Sequence, residues 1–464
     1  MLTSDELADR LSRLAEKFTV TGASAALWHD GMLVQAETGT VNVTTGAPVR
    51  PDTLFAAGSV TKTLTASLAM TLVEKGRLDL EAPVLEYLPD FTTADPVRSA
   101  AITVRMLLNH SSGLPGNYLP DLAPGDDVLE RLMRKLATLN VTGVPGRRFS
   151  YSNMGMSTLG RLVEVVTGER FDVALRTRLI RPLGMTATAD AEEMLLHSTA
   201  VGHVVDPSSG AVSRVPRLRV WPEYGPAGSR LWLDVESLVR FGRMHIDGAT
   251  PDGHHILSPA SLAEMRTPQY DDFWGCLRGC ANFGLGWGIF REGDDPVLTH
   301  SGANLGMHST LYVIPAQKVV LAVLTNSATG GMLHSTLCTE LLDEFFDVQG
   351  PAALVPPEAG VEVDDERFTG AYRASDGQVK VEMRDGRLHV RLIPHAGLAE
   401  WDRLMGSPAG DGRAMPITCI DSERNRFIMD SGSPGSQVAV QFCEPGWDGR
   451  PTLVRLGTLY ERAA

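Results

Sequence analysis

The run Thr63–Val73, TLTASLAMTLV, carries small or apolar side chains almost all the way round a helix. No other stretch constrains the chain as much. A helix apolar on every side has no face to offer water and belongs inside a folded domain. Gly76 follows as a C-terminal stop. Immediately upstream stand Gly58-Ser59-Val60-Thr61-Lys62. Ser59 therefore falls at the mouth of a buried helix, under the positive end of its dipole, and Lys62, three residues on, shares its face. A lysine there loses hydration, which favours the neutral amine, and a neutral amine can take a proton from a neighbouring hydroxyl. The same residues also read as a serine cap beside a surface lysine, because S-x-x-K arises by chance in a chain of 464 residues.

Composition narrows the function classes. Apolar content of 43% with 21% charged residues describes a soluble globular chain long enough for two or three domains. A formal net charge of -14 argues against a nucleic-acid surface. The N-terminus, MLTSDELADRLSRLAEKF, is charged from residue 5 and has no apolar core of a signal peptide. No apolar run is long enough to cross a bilayer. The expectation is a cytoplasmic protein with no membrane partner. Five cysteines, at 276, 280, 338, 419 and 443, are odd in number and scattered, and read as reduced structural thiols. Cys276 and Cys280 have no companion pair at ligand spacing, so no metal site is expected, and no cofactor.

Thr3 and Glu6 form a capping box ahead of Leu7, Leu11 and Leu14 at helical spacing. Ala23–Trp28 and Met32–Ala36 flank His29-Asp30-Gly31, a hairpin signal. Leu78 to Leu88 is amphipathic and suited to cap the core. Val104 to Pro115 reads as a short helix running into a Gly/Pro turn, with His110 as a hydrogen-bonded structural histidine. A helix from about Met156 to Val166 stops at Gly168, and residues 186–225 are irregular, as inserts that shape a cleft often are. Gly225 to Ser229 closes that insert, and Val235 to Met244 returns to helical spacing. Ser309–Ile314 and Val319–Leu324 read as adjacent antiparallel strands, with an amphipathic helix over Met332–Phe346 packed on them. Val348 to Gly360 is a Pro/Gly linker. Beyond it the pattern is β only: a hairpin around Asp385-Gly386, alternation at Val438, Val440 and Phe442, and a last strand over Leu453–Leu459. That tail suggests a small barrel or sandwich.

Two further matches accompany the serine and lysine. Tyr151-Ser152-Asn153 follows a Pro-Gly turn, and His300-Ser301-Gly302 precedes the two-strand run. Taken alone, the first also reads as a buried tyrosine with a capping Ser/Asn. S-x-x-K, then Y-x-N, then K/H-x-G on a strand, in that order, resembles the penicillin-recognising serine enzymes: class C β-lactamases, D-alanyl-D-alanine carboxypeptidases, D-aminopeptidases and related esterases. Leu107 to Pro115 also resembles a recurrent segment of that family. The resemblance covers about residues 5 to 347. It implies an α+β fold, an antiparallel sheet with helices on both faces plus a helical subdomain. The tail resembles the lipocalin-like barrel that follows this domain in many members. The expected boundaries are a catalytic domain over 1–347, a linker over 348–360 and a barrel over 361–464. No G-x-S-x-G occurs, which disfavours an α/β-hydrolase.

Carried over, the resemblance makes Ser59 the nucleophile, Lys62 its base and Tyr151 the proton relay to the leaving group. Asn153 would hold the substrate amide and Lys62. The backbone N–H groups of Ser59 and Ala303 would form the oxyanion hole, where one donor contributes ~3 kcal/mol to the barrier. Gly302 would let a substrate backbone approach. Gly228, with Trp221, Tyr224 and Trp232 at the end of the irregular insert, would wall the cleft. The chain departs from the β-lactamase pattern at His300, where a lysine is usual; a mostly neutral imidazole is a poorer anchor for a carboxylate. Three readings follow. One is a transacylase like the stand-alone penicillin-binding-protein-type thioesterases, which close a peptidyl thioester, free or presented by a carrier protein, head to tail. The second is a hydrolase of D-residue peptides, amides or small esters. The third, a catalytically dead binding module, is opposed by the intact Ser59, Lys62, Tyr151 and Asn153.

Overall fold

The computed structural model describes all residues except 1, 121, 191, 207, 219, 278, 292–294, 352–353, 356–360, 362, 396–397, 399–411, 430–436 and 464. Helix α1, Ser4–Lys17, begins at the expected capping box: Thr3 accepts from the Glu6 N–H and the Glu6 carboxylate accepts from the Thr3 N–H. Its Leu7, Leu11 and Leu14 are buried. Strands β1, Gly22–His29, and β2, Met32–Gly39, are joined at Asp30 and Gly31, both with positive φ, as a tight hairpin requires.

These strands belong to an antiparallel sheet completed late in the chain. Its other members are β3, Asn282–Phe283; β4, Gly288–Arg291; β5, Val297–Asn304; β6, Met307–Ile314; and β7, Val319–Thr325. The order is β2-β1-β7-β6-β5-β4-β3. Every residue of β7 is buried, because both faces of the sheet are covered. On one face lie α1 and the C-terminal helix Gly330–Phe346, whose leucines share a core with Leu7 and Leu11.

The opposite face carries the larger core. It holds α2, Thr61–Glu74; α3, Asn153–Thr167; and α4, Val235–Asp247. Residues Thr61 to Leu72 are all buried, as the all-round apolar pattern demands. α3 ends at Gly168 in the left-handed conformation. Leu78, Leu80, Ala82 and Val84 do cap this core, but on an irregular backbone whose one helical turn is Val84–Glu86. Residues 186–225 contain short ordered pieces. Ala187–Thr188 joins a small sheet with Phe55–Ala56 and Trp232–Leu233, and His203–Val205 pairs with Val212–Arg214.

Most of the Pro/Gly linker lies outside the described residues. After it, eight strands close into an antiparallel barrel: β8, Gly370–Ala374; β9, Gly377–Arg384; β10, Arg387–Pro394; β11, Met415–Asp421; β12, Arg426–Met429; β13, Val438–Pro445; β14, Pro451–Leu456; and β15, Thr458–Arg462. Its interior is a separate apolar cluster around Phe368, Tyr372, Phe427 and Phe442. The expected single strand over Leu453–Leu459 is two strands, folded back at Gly457 with φ +76°. Apolar residues on both sides of one glycine hid that turn. It is also a point where the barrel meets the segment of Tyr151, whose N–H Gly457 accepts.

Candidate active site

Ser59 occupies a single turn, Gly58–Val60, that runs directly into α2. The turn has no room for side chains around it. Gly58 has φ +52°, and a Cβ there would lie 2.7 Å from the Ala303 nitrogen. A Cβ on Gly302 would strike the Ala57 carbonyl and lie 2.7 Å from the Ser59 nitrogen. Gly228, φ +127°, is pressed against the Gly58 carbonyl. Gly302 was expected to let a substrate backbone approach, and Gly228 to line the substrate cleft. The structure shows what they do make space for, which is the nucleophile turn itself, seated against β5. The Ser59 and Ala303 backbones come together there.

Lys62 is fully buried in the first turn of α2. Its Nζ lies 2.9 Å from Ser59 Oγ and 2.6 Å from the carbonyl oxygen of Ala227. Burial with no compensating carboxylate pushes its pKa well below that of a free lysine. A neutral amine gives one N–H to Ala227 and keeps its lone pair for the Ser59 hydroxyl proton. The ring of Tyr151 sits 5.0 Å from Nζ. Burial raises the phenol pKa and the Ser59 hydroxyl partly opposes it, so Tyr151 is a neutral phenol able to give up or pass on a proton.

The segment 150–153 is tied down one N–H at a time. Ser150 donates to the His110 carbonyl at 2.8 Å, and Ser152 donates to His110 Nδ1 at 3.2 Å. Between them Tyr151 donates to Gly457 of the barrel at 3.2 Å, and Asn153 donates to Gly116 at 2.9 Å. The Ser152 hydroxyl caps α3 by accepting from Gly155 and donates to Pro115. His110 thus brackets the tyrosine, with its ring 4.5 Å from the phenol ring and a backbone φ of +61°. Because Nδ1 accepts a backbone N–H, the proton sits on Nε2. Burial holds the ring neutral, well below the usual histidine range.

Asn153 does not reach Lys62 through any of these bonds. Its Nδ2 is given to Asn117 Oδ1 at 2.6 Å, which leaves its own oxygen as its acceptor. His300 is buried on β5, with Nδ1 2.7 Å from the Ser301 carbonyl. A carbonyl only accepts, so Nδ1 carries the hydrogen and Nε2 keeps a lone pair, which has no partner in the structure. Burial pushes His300 down to about 3. Trp221, Tyr224 and Trp232 lie in the apolar core. Tyr224 reaches out of it to hold the Tyr118 backbone, accepting at 2.6 Å and donating at 2.8 Å. The sequence reading did not anticipate Asn117, the Ala227 carbonyl or Gly457; backbone carbonyls and a loop amide leave no periodic signal. His110 stood in the recognised Leu107–Pro115 segment, but its service to Tyr151 was not visible there.

Residues 7–337 match the family model described as Beta-lactamase. The chain belongs to the β-lactamase family. Penicillin-binding protein 4 of Amycolatopsis lactamdurans is 35% identical over 378 residues, covering 80% of this chain and 97% of that protein. The crystal structure of SurE superposes with a TM-score of 0.82 at 27% identity, covering 99% of each chain, barrel included. SurE with D-Leu superposes at 0.78. The D-amino acid amidase of Ochrobactrum anthropi SV3 shares the fold, with a TM-score of 0.57 at 24% identity over 69% of this chain and 90% of that one. β-Lactamase-family proteins are serine hydrolases and acyltransferases. Among the described residues no helix is long and apolar enough to cross a membrane.

Proposed function

We propose that the chain is a serine acyl-enzyme transacylase for peptidyl esters or thioesters, with a D-residue at the acyl C-terminus and the peptide's own amine as acceptor. The observation that carries it is the fully buried Lys62, with no counter-charge, 2.9 Å from Ser59 Oγ. In the first half-reaction Ser59 Oγ attacks the acyl carbonyl while its proton passes to Lys62. The oxygen that becomes negative lies toward the Ser59 and Ala303 N–H groups. The tetrahedral adduct collapses as the phenol of Tyr151 protonates the leaving thiol or alcohol, and Lys62 returns the proton to Tyr151. In the second half the attacking amine forms the new C–N bond, loses its proton to the Tyr151/Lys62 pair, and Ser59 Oγ leaves with a proton.

The acceptor side supports an amine over a carboxylate anchor. His300 is a buried, neutral imidazole, which gives a carboxylate no charge to pair with. The full-length likeness to SurE, a structure also solved with D-Leu, supports the D-residue. A second reading, a D-aminopeptidase, amidase or carboxylesterase, is favoured by one observation: Ser59 and Tyr151 are only partly buried, so water reaches them. An amine outcompetes ~55 M water only if the site holds it against the carbonyl. The deciding experiment supplies linear peptides with a free N-terminus and a C-terminal D-residue as thioester mimics. A cyclic product, absent with Ser59→Ala, is the expected result. Linear acid alone across several lengths, with faster turnover of simple D-amides or esters, makes the enzyme a hydrolase.

A further inference from the structure

The turn between β8 and β9 carries Asp376 out of the barrel and onto the catalytic domain. Only 6% of it is exposed. A Cβ on Gly116 would lie 2.8 Å from Asp376 Oδ2, 2.7 Å from the Thr458 methyl and 3.2 Å from the Tyr151 carbonyl. The barrel is therefore packed directly on the segment that holds α3 in place. Gly116 receives the Asn153 N–H, and its neighbour Asn117 receives the Asn153 side-chain amide. Asp376 Oδ2 is packed on Gly116, while its other oxygen, Oδ1, is buried without a partner. Such a group is costly, and native structures keep one where something else depends on it.

We propose that Asp376 is a positioning residue for Asn153, acting through the Gly116–Asn117 segment, and that it thereby sets preference for acyl groups bearing an amide N–H. The chain of contacts runs from the Asp376 carboxylate to Gly116, which accepts the Asn153 N–H, and through its neighbour Asn117, whose Oδ1 accepts from Asn153 Nδ2. An asparagine amide can turn over, exchanging its oxygen and nitrogen. With Nδ2 fixed on Asn117, Oδ1 of Asn153 is the atom left to receive a substrate N–H. Without Asp376, the Gly116–Asn117 segment loses the group packed against it, and the amide is free to present its donor face instead. Burial pushes the Asp376 carboxyl up to about 6, consistent with a charge that has no cation beside it.

This inference rests on the acyl-enzyme reading, and the test separates the two. The full chain is assayed with the p-nitrophenyl esters of N-acetyl-D-leucine and of 4-methylpentanoic acid, which differ in the amide group. Asp376→Ala is expected to lower kcat/KM on the first ester at least about tenfold, a loss of ~1.4 kcal/mol, and on the second less than about threefold. Asp376→Asn, which keeps the shape packed on Gly116, is expected to recover most of the loss. Asp376→Ala combined with Asn117→Ala is expected to be no worse than Asn117→Ala alone. Equal loss on both esters, additive losses in the double variant, or an Asn variant as poor as the Ala variant each overturns the proposal. If Ser59→Ala releases nitrophenol as fast as the unmodified protein, it is the acyl-enzyme reading that falls.

Discussion

Lys62 shows how a single residue can be placed against the stability of its own fold. Its ammonium form would be a buried charge with no counter-ion, so the protein holds it as an amine. Two consequences follow with opposite signs. The acylating form is the neutral one, so the rate of acylation by a small activated ester is expected to rise with pH and level off well below 10.5. Lys62→Ala should lower that rate by ~10²–10⁴-fold while the fold persists. For stability, the unfolded chain binds a proton between the depressed pKa and 10.5 that the folded chain does not. Stability from this group is therefore present above that window and lost as pH falls through it. Lys62→Met is accordingly expected to raise Tm at neutral pH while abolishing acylation. Parallel thermal scans and stopped-flow traces check both; a Met variant less stable than the parent would show that the amine pairs with something. The serine, lysine, tyrosine, asparagine and histidine were legible from motif order. What was not legible is how each is oriented: the His300 tautomer is fixed by the carbonyl of the next residue, Ser301, whose direction no motif records, and the Asn153 amide face by a loop amide far away in sequence.

At the scale of elements, the site is a meeting of one helix mouth with one strand. The mouth of α2 and strand β5 approach so closely that Gly58, Gly228 and Gly302 leave no space for a Cβ. Gly302→Ala should therefore act on the nucleophile before it acts on any substrate. The expected result is a loss of ~1–3 kcal/mol in stability and of most labelling of Ser59 by a fluorophosphonate. Full labelling with a raised KM would instead mean that the glycine serves the substrate's backbone, as the strand pattern alone suggested. Elements with their own periodicity or turn chemistry were readable: the capping box at α1, the β1–β2 hairpin, α3 with its Gly168 stop, and the β6–β7 pair. Elements whose form depends on distant partners were not. Leu78 to Val84 takes its path from the core it covers, and the β14–β15 turn at Gly457 takes its place from the site it braces.

At the scale of the whole molecule, the barrel is bonded into the catalytic segment. Gly457 takes the Tyr151 N–H at 3.2 Å, and the Leu459 N–H goes to the Ser150 hydroxyl at 3.1 Å. Around these lie Arg148–Glu444 at 3.0 Å, Arg426–Asp272 at 2.7 Å and an Arg455 bond to the Trp274 carbonyl at 3.0 Å. Partly exposed ion pairs contribute ~0–1 kcal/mol each, so they orient the barrel more than they hold it. The buried backbone bonds matter more, because a buried N–H left without an acceptor costs ~1–3 kcal/mol. A chain ending at residue 350 would expose the aromatic cluster of Phe149, Phe273 and Phe283 and leave the Tyr151 N–H without its acceptor. Tyr151 would then lack one of the contacts that fix it beside Lys62, and a displacement of ~1 Å costs about a hundredfold in rate. Such a chain is expected to unfold at lower temperature and to acylate even a small ester far more slowly than the full protein. Adding back the separate barrel segment should restore little unless it docks. If the shortened chain keeps full activity on both a small ester and a peptide, the barrel is a bystander and the tyrosine is held by His110 alone.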